Sequence, residues 1–374
     1  MLNRWFFWLC LGGACFPLAA RAEGEWEVTP QSERALERGL DWLARNQGPE
    51  GNWGSNDLGL VGMGALAFLS AGHTPGHGRY GDTVERALDY MLHHAKPSGL
   101  LNIADPQRDM YNHGLAAFVL GQAHGMTADP RINAVLDRSL KLIASTQCED
   151  GGWDYQARPQ ARGHDLSLSV MQAKALRSAV DSGLEVSPEV IALAIKYVRE
   201  RYRGERADPR DEAAMRREPG QFTYNGGGGT VAMAAAGVVC MQEFGQYDDW
   251  RIAKNMDVID KEIRQLKPRA GTGESPLDAY TLYYVGQAVY QVGGKHWEES
   301  YPKLRDALVA NQFQNPGDPR DGQWRETKHV GGKPGEMYGT AVGCFILAMP
   351  NRYLPILQEG KIDTLRGRFS ESAE

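Results

Sequence analysis

The chain has 374 residues, of which 42% are hydrophobic, and its formal net charge is −6. An acidic chain without a basic stripe argues against a nucleic-acid-binding protein, so we expect no nucleic-acid partner. The 44 glycines and 19 prolines punctuate apolar runs, which is typical of a globular protein with a buried core.

The first 22 residues have the three regions of a secretory signal peptide. Arg4 precedes an apolar run from Trp5 to Leu18, and Ala20-Arg21-Ala22 supplies the small residues of a cleavage site. The run is shorter than the roughly 20 apolar residues of a transmembrane helix. We therefore expect cleavage after Ala22, export to the periplasm or the extracellular space, and no transmembrane anchor.

Beyond this segment, the chain alternates between two kinds of apolar sequence. Six segments carry apolar residues at steps of three and four with charges between them, which predicts outer helices with one buried face. Six others are apolar or small on nearly every side, which predicts inner helices over 58–71, 113–125, 166–180, 228–244, 278–292 and 337–349. This alternation predicts an all-α (α/α)6 toroid of six helical hairpins.

Two of the predicted turns share the motif Gln-x-x-x-Gly-x-Trp, from Gln47 to Trp53 and from Gln147 to Trp153. Glycine can supply the left-handed residue that ends a helix, and the indole can pack on the turn below it. Gly220-Gln-Phe222 and Gly322-Gln-Trp324 are degenerate copies of the motif. The motif therefore predicts a structural boundary between hairpins.

We expect one toroid domain over residues 23–355, with a charged surface insertion at 203–220 and a loose polar tail at 356–374. Removal of the signal peptide leaves three cysteines without a Cys-x-x-Cys pair, which argues against a disulfide framework. Cys240 and Cys344 stand in apolar runs and are expected to be core residues.

With its repeated Gln-x-x-x-Gly-x-Trp turns and six hairpins, the chain resembles the α/α-toroid superfamily of squalene–hopene cyclases and protein prenyltransferase β-subunits. The resemblance covers roughly Gln31 to Pro355. It is strongest to exported bacterial proteins with prenyltransferase/squalene-oxidase repeats, which are squalene-cyclase C-terminal-like. It implies the toroid fold with a central cavity.

The resemblance implies less about activity. Class II cyclases protonate an alkene with the middle acid of an Asp-x-Asp-Asp-Thr-Ala motif, and the matching stretch here is His164-Asp165-Leu-Ser167. In either alignment the donor position holds His164 or Ser167, and neither protonates an unactivated alkene. The Asp-x-Cys pair that holds zinc in prenyltransferases does not occur in the sequence. We therefore expect no metal and no cofactor.

The starts of the inner helices are expected to meet at one end of the barrel and to form an aromatic, acidic rim. Asp and Asn at these starts fit helix capping as well as ligand contact. The candidate catalytic residues are His164, Asp165, Asp278 and Glu336. The candidate ligand-binding residues are Asp57, Tyr111, His113, Trp153, Tyr155, Tyr224, Tyr280 and Tyr338, and Asn112 and Asn225 are expected caps.

Three functions remain open at this point. The first, which the missing cyclase acid and zinc pair favour, is a non-catalytic module that binds a small molecule or docks a protein partner. The second is an isoprenoid-modifying, cyclase-like enzyme with a nonstandard acid. The third is a glycan hydrolase or lyase, because (α/α)6 barrels also carry sugar chemistry. The expected small molecule is accordingly an isoprenoid or a glycan.

Overall fold

The computed structural model describes residues 26–326 and 335–358. The expected signal peptide at 1–22, and residues 359–374 of the expected tail, lie outside the described residues. In the part of the chain that is described, no helix combines the length and the apolarity that a membrane span requires.

The protein is an (α/α)6 toroid, as the sequence predicts. The helices are, in chain order, α1 (Pro30–Asn46), α2 (Leu58–Ser70), α3 (Gly81–His93), α4 (Asp109–Met126), α5 (Pro130–Thr146), α6 (Leu166–Asp181), α7 (Pro188–Arg199), α8 (Glu212–Arg217), α9 (Val231–Glu243), α10 (Trp250–Arg264), α11 (Ala279–Val292), α12 (Gly294–Asn311) and α13 (Glu336–Ala348).

The inner ring consists of α2, α4, α6, α9, α11 and α13. Each inner helix packs against the next one in the chain, and α13 packs against α2, so that the ring is closed. Closure explains the composition of these helices, because a helix with neighbours on all sides has no solvent face. In α2, for example, every residue except Leu60 is buried.

The outer layer consists of α1, α3, α5, α7, α10 and α12, which bury one stripe and expose the other face. In α5 the buried stripe includes Ile132, Leu136 and Ile143, as the spacing predicts. Proline at the first turn and a side-chain cap start several of these helices. Asp129 caps α5 by accepting a hydrogen bond from the backbone N–H of Arg131.

The Gln-x-x-x-Gly-x-Trp turns connect neighbouring hairpins. The Gln147 side chain donates to the carbonyl oxygens of Gly151 (3.0 Å) and Val190 (2.9 Å), the second of which belongs to the next outer helix, α7. The Trp153 indole N–H donates to the carbonyl of Ile143 at 2.9 Å. Gly151 has a φ of +90°, a conformation that glycine adopts without steric cost.

The turn after α12 contains a third copy of this arrangement, which the sequence shows only as a degenerate motif. Gln312 donates to the carbonyls of Gly322 (2.9 Å) and Ala35 (2.8 Å), and the Trp324 indole donates to Leu308 (2.9 Å). The glutamine stands ten residues before the glycine instead of four, because residues 313–321 form a longer loop. The same three hydrogen bonds as in the Gln147 turn are therefore present, although the spacing of the residues differs.

Residues 202–222, between α7 and α9, form a short antiparallel strand pair around α8. β1 (Tyr202–Gly204) pairs with β2 (Gly220–Phe222), with Tyr202 opposite Phe222. Both aromatic rings are buried, whereas most residues between the two strands are exposed. The charged segment between 203 and 220 is thus held to the toroid at its two ends.

The expectation that the chain becomes loose directly after Pro355 is wrong for the first residues of that segment. Ile356 and Leu357 are buried, and the backbone N–H of Ile356 donates to the Gln122 side chain at 3.0 Å. The Tyr290 hydroxyl donates to the carbonyl of Leu357. Two apolar residues in a polar stretch are enough to fix this segment against the end of the barrel.

Candidate functional site

The inner helices all begin at one end of the ring, because each outer helix returns the chain to that end. We call this end the mouth. It is formed by the N-caps of the inner helices, which include Asp57, Asp165, Thr230 and Asp278, and by the loops before them. Helix N-termini carry partial positive charge, so the mouth favours carboxylates and electron-rich ligand atoms.

Three of the acidic residues predicted at the mouth cap their helices. Asp57 accepts a hydrogen bond from the backbone N–H of Leu60 at 3.1 Å. Asp278 accepts one from the backbone N–H of Thr281 and one from its hydroxyl, both at 2.8 Å. Asp165 caps α6 by accepting hydrogen bonds from the backbone N–H groups of Ser167 and Leu168.

Two other predictions at the mouth, the caps Asn112 and Asn225, are wrong, whereas the prediction that Glu336 starts an inner helix is confirmed. Asn112 does not cap α4, because the helix already begins at Asp109, and its amide donates to the Asn102 side chain instead. Asn225 lies in the loop before α9, and Thr230 caps that helix because the glycines at 226–229 delay its start. Glu336 is the exposed first residue of α13 and follows Gly335 at the cap position.

His164 and Asp165 form a hydrogen-bonded pair at the mouth. His164 Nδ1 lies 2.7 Å from Asp165 Oδ2, and the side chain of His164 is 49% exposed, whereas that of Asp165 is fully buried. The other carboxylate oxygen accepts from the Ser167 backbone N–H (2.8 Å), the Ser167 hydroxyl (2.5 Å) and the Leu168 backbone N–H (3.3 Å). A buried carboxylate thus orients a histidine that solvent reaches.

The pair determines which nitrogen of His164 carries the proton. An ionised carboxylate only accepts hydrogen bonds, so Nδ1 must be the donor, and the lone pair of the neutral ring is then on Nε2. Nε2 of the neutral ring is therefore a hydrogen-bond acceptor.

Two tyrosines flank this pair. The hydroxyl groups of Tyr155 and Tyr224 lie 2.8 Å apart, and the His164 ring meets both tyrosine rings edge-on, with centroid distances of 5.0 and 6.3 Å. Burial raises the pKa of Tyr224, and so does its hydrogen bond to the Asp165 carboxylate. Burial also raises the pKa of Tyr155. Both phenols stay protonated near neutral pH and can donate hydrogen bonds.

The other predicted ligand-binding tyrosines lie deeper. Tyr111, Tyr280 and Tyr338 are at most 5% exposed and fill the barrel interior beneath the mouth. Burial raises the pKa of all three hydroxyl groups. They form the floor of the mouth in this structure, and they do not project from its rim as the sequence suggests.

Two further candidates belong to the fold. Trp153 is completely buried as the wedge of its repeat turn. His113 is also buried, with Nδ1 accepting from the Leu101 backbone N–H (3.1 Å) and Nε2 3.2 Å from the Ser139 carbonyl. Burial lowers the pKa of His113 to about 4, so it is a neutral structural histidine. Neither residue is placed to contact a ligand at the mouth.

Sequence reasoning missed a buried charge in the middle of the barrel. Lys174 on α6 is fully buried, donates to the Gln287 side chain, and lies 3.7 Å from the Glu243 carboxylate and 4.0 Å from the centroid of the Phe118 ring. Burial lowers the pKa of Lys174 to about 8. The signal in the sequence was a lysine in the middle of an inner helix, between two alanines that are also buried.

A cavity of about 500 Å³ adjoins the mouth, between the starts of α9 and α11. Asp278, Glu326, Arg269 and Arg325 are among the residues that line it. A larger cavity, of about 860 Å³, lies between α3 and α5 on the outer surface, away from the His164 pair.

Within the described ranges, no three His, Cys, Asp or Glu side chains are grouped as metal ligands.

No protein-family model matches this sequence, and no curated protein matches it. Solved structures do match. An inactive variant of the α-1,6-mannanase GH76A of Salegentibacter sp. HEL1_6, in complex with α-1,6-mannotriose, is 9% identical, with a TM-score of 0.55 over 88% of this chain and 100% of its own. Cellobiose 2-epimerase from Bacillus thermoamylovorans B4167 is 12% identical, with a TM-score of 0.55 over 85% and 98%.

A third similar structure is the GH76 α-mannanase of Bacteroides thetaiotaomicron, which is 11% identical with a TM-score of 0.53 over 85% of this chain and 94% of its own. Likeness at this level of identity shows the fold alone. None of the three is a squalene cyclase or a prenyltransferase, so the resemblance to those families stays a prediction that rests on the turn motifs.

Proposed function

We propose that this protein acts on a glycan at the mouth of its toroid and that His164 transfers the proton in that reaction. The observation that carries the proposal is the His164–Asp165 pair, in which a buried carboxylate orients a solvent-accessible imidazole. A histidine held in this way can serve as a general base and then as a general acid near neutral pH.

The chemistry of the site supports a sugar more than an isoprenoid. An isoprenoid chain needs an apolar cavity, whereas the barrel interior holds tyrosine hydroxyls and the Lys174–Glu243 pair. Tyrosine offers both a ring face for stacking on a sugar and a hydroxyl for hydrogen bonding. The structurally similar proteins, two mannanases and a cellobiose epimerase, act on sugars, which agrees with this choice.

This proposal replaces the non-catalytic module, which the sequence alone favours, with the glycan enzyme that it ranks third. In the proposed reaction, Nε2 of His164 removes a proton from the sugar or from an attacking water. The hydroxyl oxygens of Tyr155 and Tyr224 accept hydrogen bonds from sugar hydroxyl groups and so position the ring beside Nε2. Asp165 holds the imidazole in the reactive tautomer.

The decisive experiment compares two variants across a panel of α-mannan, cello-oligosaccharides and uronic-acid oligosaccharides. His164→Gln is expected to abolish turnover, because glutamine cannot take up the proton, while the sugar still binds. Asp165→Asn keeps the shape of the side chain and the oxygen that caps α6. Its amide would donate to Nδ1, which moves the imidazole proton to Nε2, so turnover is expected to fall by about a hundredfold or more.

The chain contains a matched control pair. His296 Nδ1 lies 2.7 Å from Asp260 Oδ2 in the outer layer, and the His296 side chain is 34% exposed. His296→Gln removes the same kind of contact away from the mouth and is expected to leave turnover unchanged. Turnover that survives in His164→Gln, or a co-purifying isoprenoid in native mass spectrometry instead of glycan binding, would contradict the proposal.

We also infer that the protein is exported with Glu23 as its first residue. Glu27, close behind the expected cleavage site, is buried and accepts hydrogen bonds from the Trp297 indole (2.5 Å) and the Arg352 guanidinium (3.0 Å). The toroid thus holds the chain just after the expected leader. N-terminal sequencing of the periplasmic or extracellular fraction tests this inference, and a chain that retains Met1 in the cytoplasm would refute it.

A further inference from the structure

We propose that a groove on the outer surface is a binding site for a tetrahedral oxyanion, the sulfate or phosphate group of a ligand. The groove lies between α7, residues 202–222 and α10, and has a volume of about 680 Å³. We call it the arginine groove. The cationic side chains that line it are Lys196, Arg199, Arg201, Arg203, Arg210 and Arg251. The proposal does not depend on the function of the mouth.

The charge of the arginine groove is opposite to that of the whole chain. Six cations and only two carboxylates, those of Glu200 and Glu212, line it, whereas the formal charge of the chain is −6. Clustered charge of one sign raises the local concentration of ions of the other sign. Five of the cations lie within residues 196–210, and the fold places the sixth, Arg251 of α10, beside them.

The acidic residues of the region neutralise only part of the cluster, in which Arg201 lies 3.9 Å from the Asp150 carboxylate. Asp249 pairs with both Arg199 (3.0 Å) and Arg251 (3.1 Å), so one carboxylate serves two guanidinium groups. Among the described residues, Lys196, Arg203 and Arg210 form no ion pair. Arg203 instead donates to the carbonyl oxygens of Glu200 (2.6 Å) and Tyr202 (2.7 Å), which are neutral acceptors.

The repulsion between these cations is visible at Arg203. Burial lowers the pKa of its guanidinium, the neighbouring Arg201 lowers it further, and Glu200 offsets part of this effect. A bound anion would remove this repulsion.

Two donors at the arginine groove are buried without an acceptor. Arg251 is 8% exposed and Arg201 is partly buried, and the Nε of each has no hydrogen-bond partner. A buried N–H that lacks a partner costs free energy, and native structures rarely leave one unpaired. These two guanidinium groups therefore keep donor capacity that the protein itself does not use.

The donors suit a sulfate or phosphate more than a carboxylate. Each guanidinium is a planar fork that binds two oxygens of one anion, and several forks can share a group whose oxygens point in different directions. A tetrahedral dianion offers more oxygens and more charge than a carboxylate, and a neutral sugar offers no charge at all. The groove therefore selects for the dianion.

The test is isothermal titration calorimetry of the mature chain with inorganic sulfate, inorganic phosphate and acetate at constant ionic strength. We expect one saturable site for the two tetrahedral ions and much weaker binding of acetate. The double variant Lys196→Gln/Arg210→Gln changes two exposed side chains, so the fold should persist. It is expected to weaken binding by about tenfold or more, because charge-assisted hydrogen bonds are lost.

The matched control is Lys141→Gln/Lys261→Gln, which removes two exposed positive charges from α5 and α10 outside the groove and is expected to leave binding unchanged. Arg203→Lys keeps the charge but removes the fork, and should still weaken binding of both tetrahedral ions. Absence of saturable binding to the wild type, or an equal loss in the control, would overturn the proposal. The relative affinities of sulfate and phosphate then identify the ester.

Discussion

The side chain of Gln312 donates a hydrogen bond to the backbone carbonyl of Ala35 at 2.8 Å, across 277 positions of the chain. This bond joins the last outer helix to the first. It is the closing member of a series in which Gln47 bonds to Thr83 and Gln147 bonds to Val190 in the next outer helix. The repeated glutamine thus links each of these hairpins to its neighbour, and the third copy closes the outer layer.

Gln312→Ala should lower the free energy of unfolding by about 3 kcal/mol, because it leaves two buried carbonyl oxygens without a donor. Urea denaturation monitored by circular dichroism measures the change. Gln314→Ala, at an exposed position two residues further on, should change it by less than about 0.5 kcal/mol. Equal stability of the two variants would mean that the ring closes without this bond.

Gly151→Ala should destabilise the protein strongly. The glycine has a φ of +90°, and an added Cβ would lie 2.1 Å from the carbonyl oxygen of Leu193. Backbone strain and a clash with rigid backbone together cost about 3 kcal/mol or more. Gly54→Ala is the matched control, because Gly54 has a φ of +70° but open space around its Cα. Its expected cost is about 1 kcal/mol, and melting temperatures of both variants test the difference.

Trp153→Ala should destabilise the protein by roughly 3 to 5 kcal/mol, because it leaves a cavity in the core and removes the hydrogen bond to Ile143. Trp53 occupies the same place in its own turn but is only partly buried. Trp53→Ala should therefore cost less. Thermal denaturation of the pair provides the measurement, and a negligible shift for Trp153→Ala would mean that the indole is not a wedge.

His113 should make stability depend on pH. Its pKa is about 4 in the folded protein and 6.5 in the unfolded chain. Between these values the unfolded chain binds a proton that the folded protein does not bind. The free energy of unfolding should therefore fall as pH falls from 6.5 to 4, by roughly 3 kcal/mol in total from this residue.

His113→Gln keeps an acceptor and a donor at this position but does not titrate. Its stability should vary less over the same pH window than that of the wild type. His77→Gln, at an exposed loop position, serves as the control. Urea midpoints measured at several pH values give the slopes, and an unchanged slope for His113→Gln would show that other groups cause the acid sensitivity.

Local patterns determined much of this architecture. The inner helices begin and end within a few residues of the predicted positions, because continuous apolar sequence and Asp or Gly boundaries are local signals. Asp57, Asp165 and Asp278 cap their helices as their positions suggest. Capping needs only the next three residues, so the sequence contains what is required to predict it.

Other predictions failed where a local signal had competitors nearby. Asn112 and Asn225 precede apolar runs and look like caps, but Asp109 and Thr230 are at or near the true starts. Gln312 escaped notice because the loop after it is longer than in the other copies. In these cases, which of several neighbouring residues starts the helix or makes the turn contact depends on how the rest of the barrel packs around them.

The sequence by itself determined the number of hairpins, the two helix layers and the acidic caps, because each follows from residues within one or two turns of chain. Only the tertiary structure decided that His113 is buried and neutral while His164 is exposed, that Lys174 of α6 lies beside Glu243 of the neighbouring helix α9, and that Arg251 joins the cations of residues 196–210. These properties depend on which distant elements exclude water from a side chain. Periodicity within one helix does not contain that information.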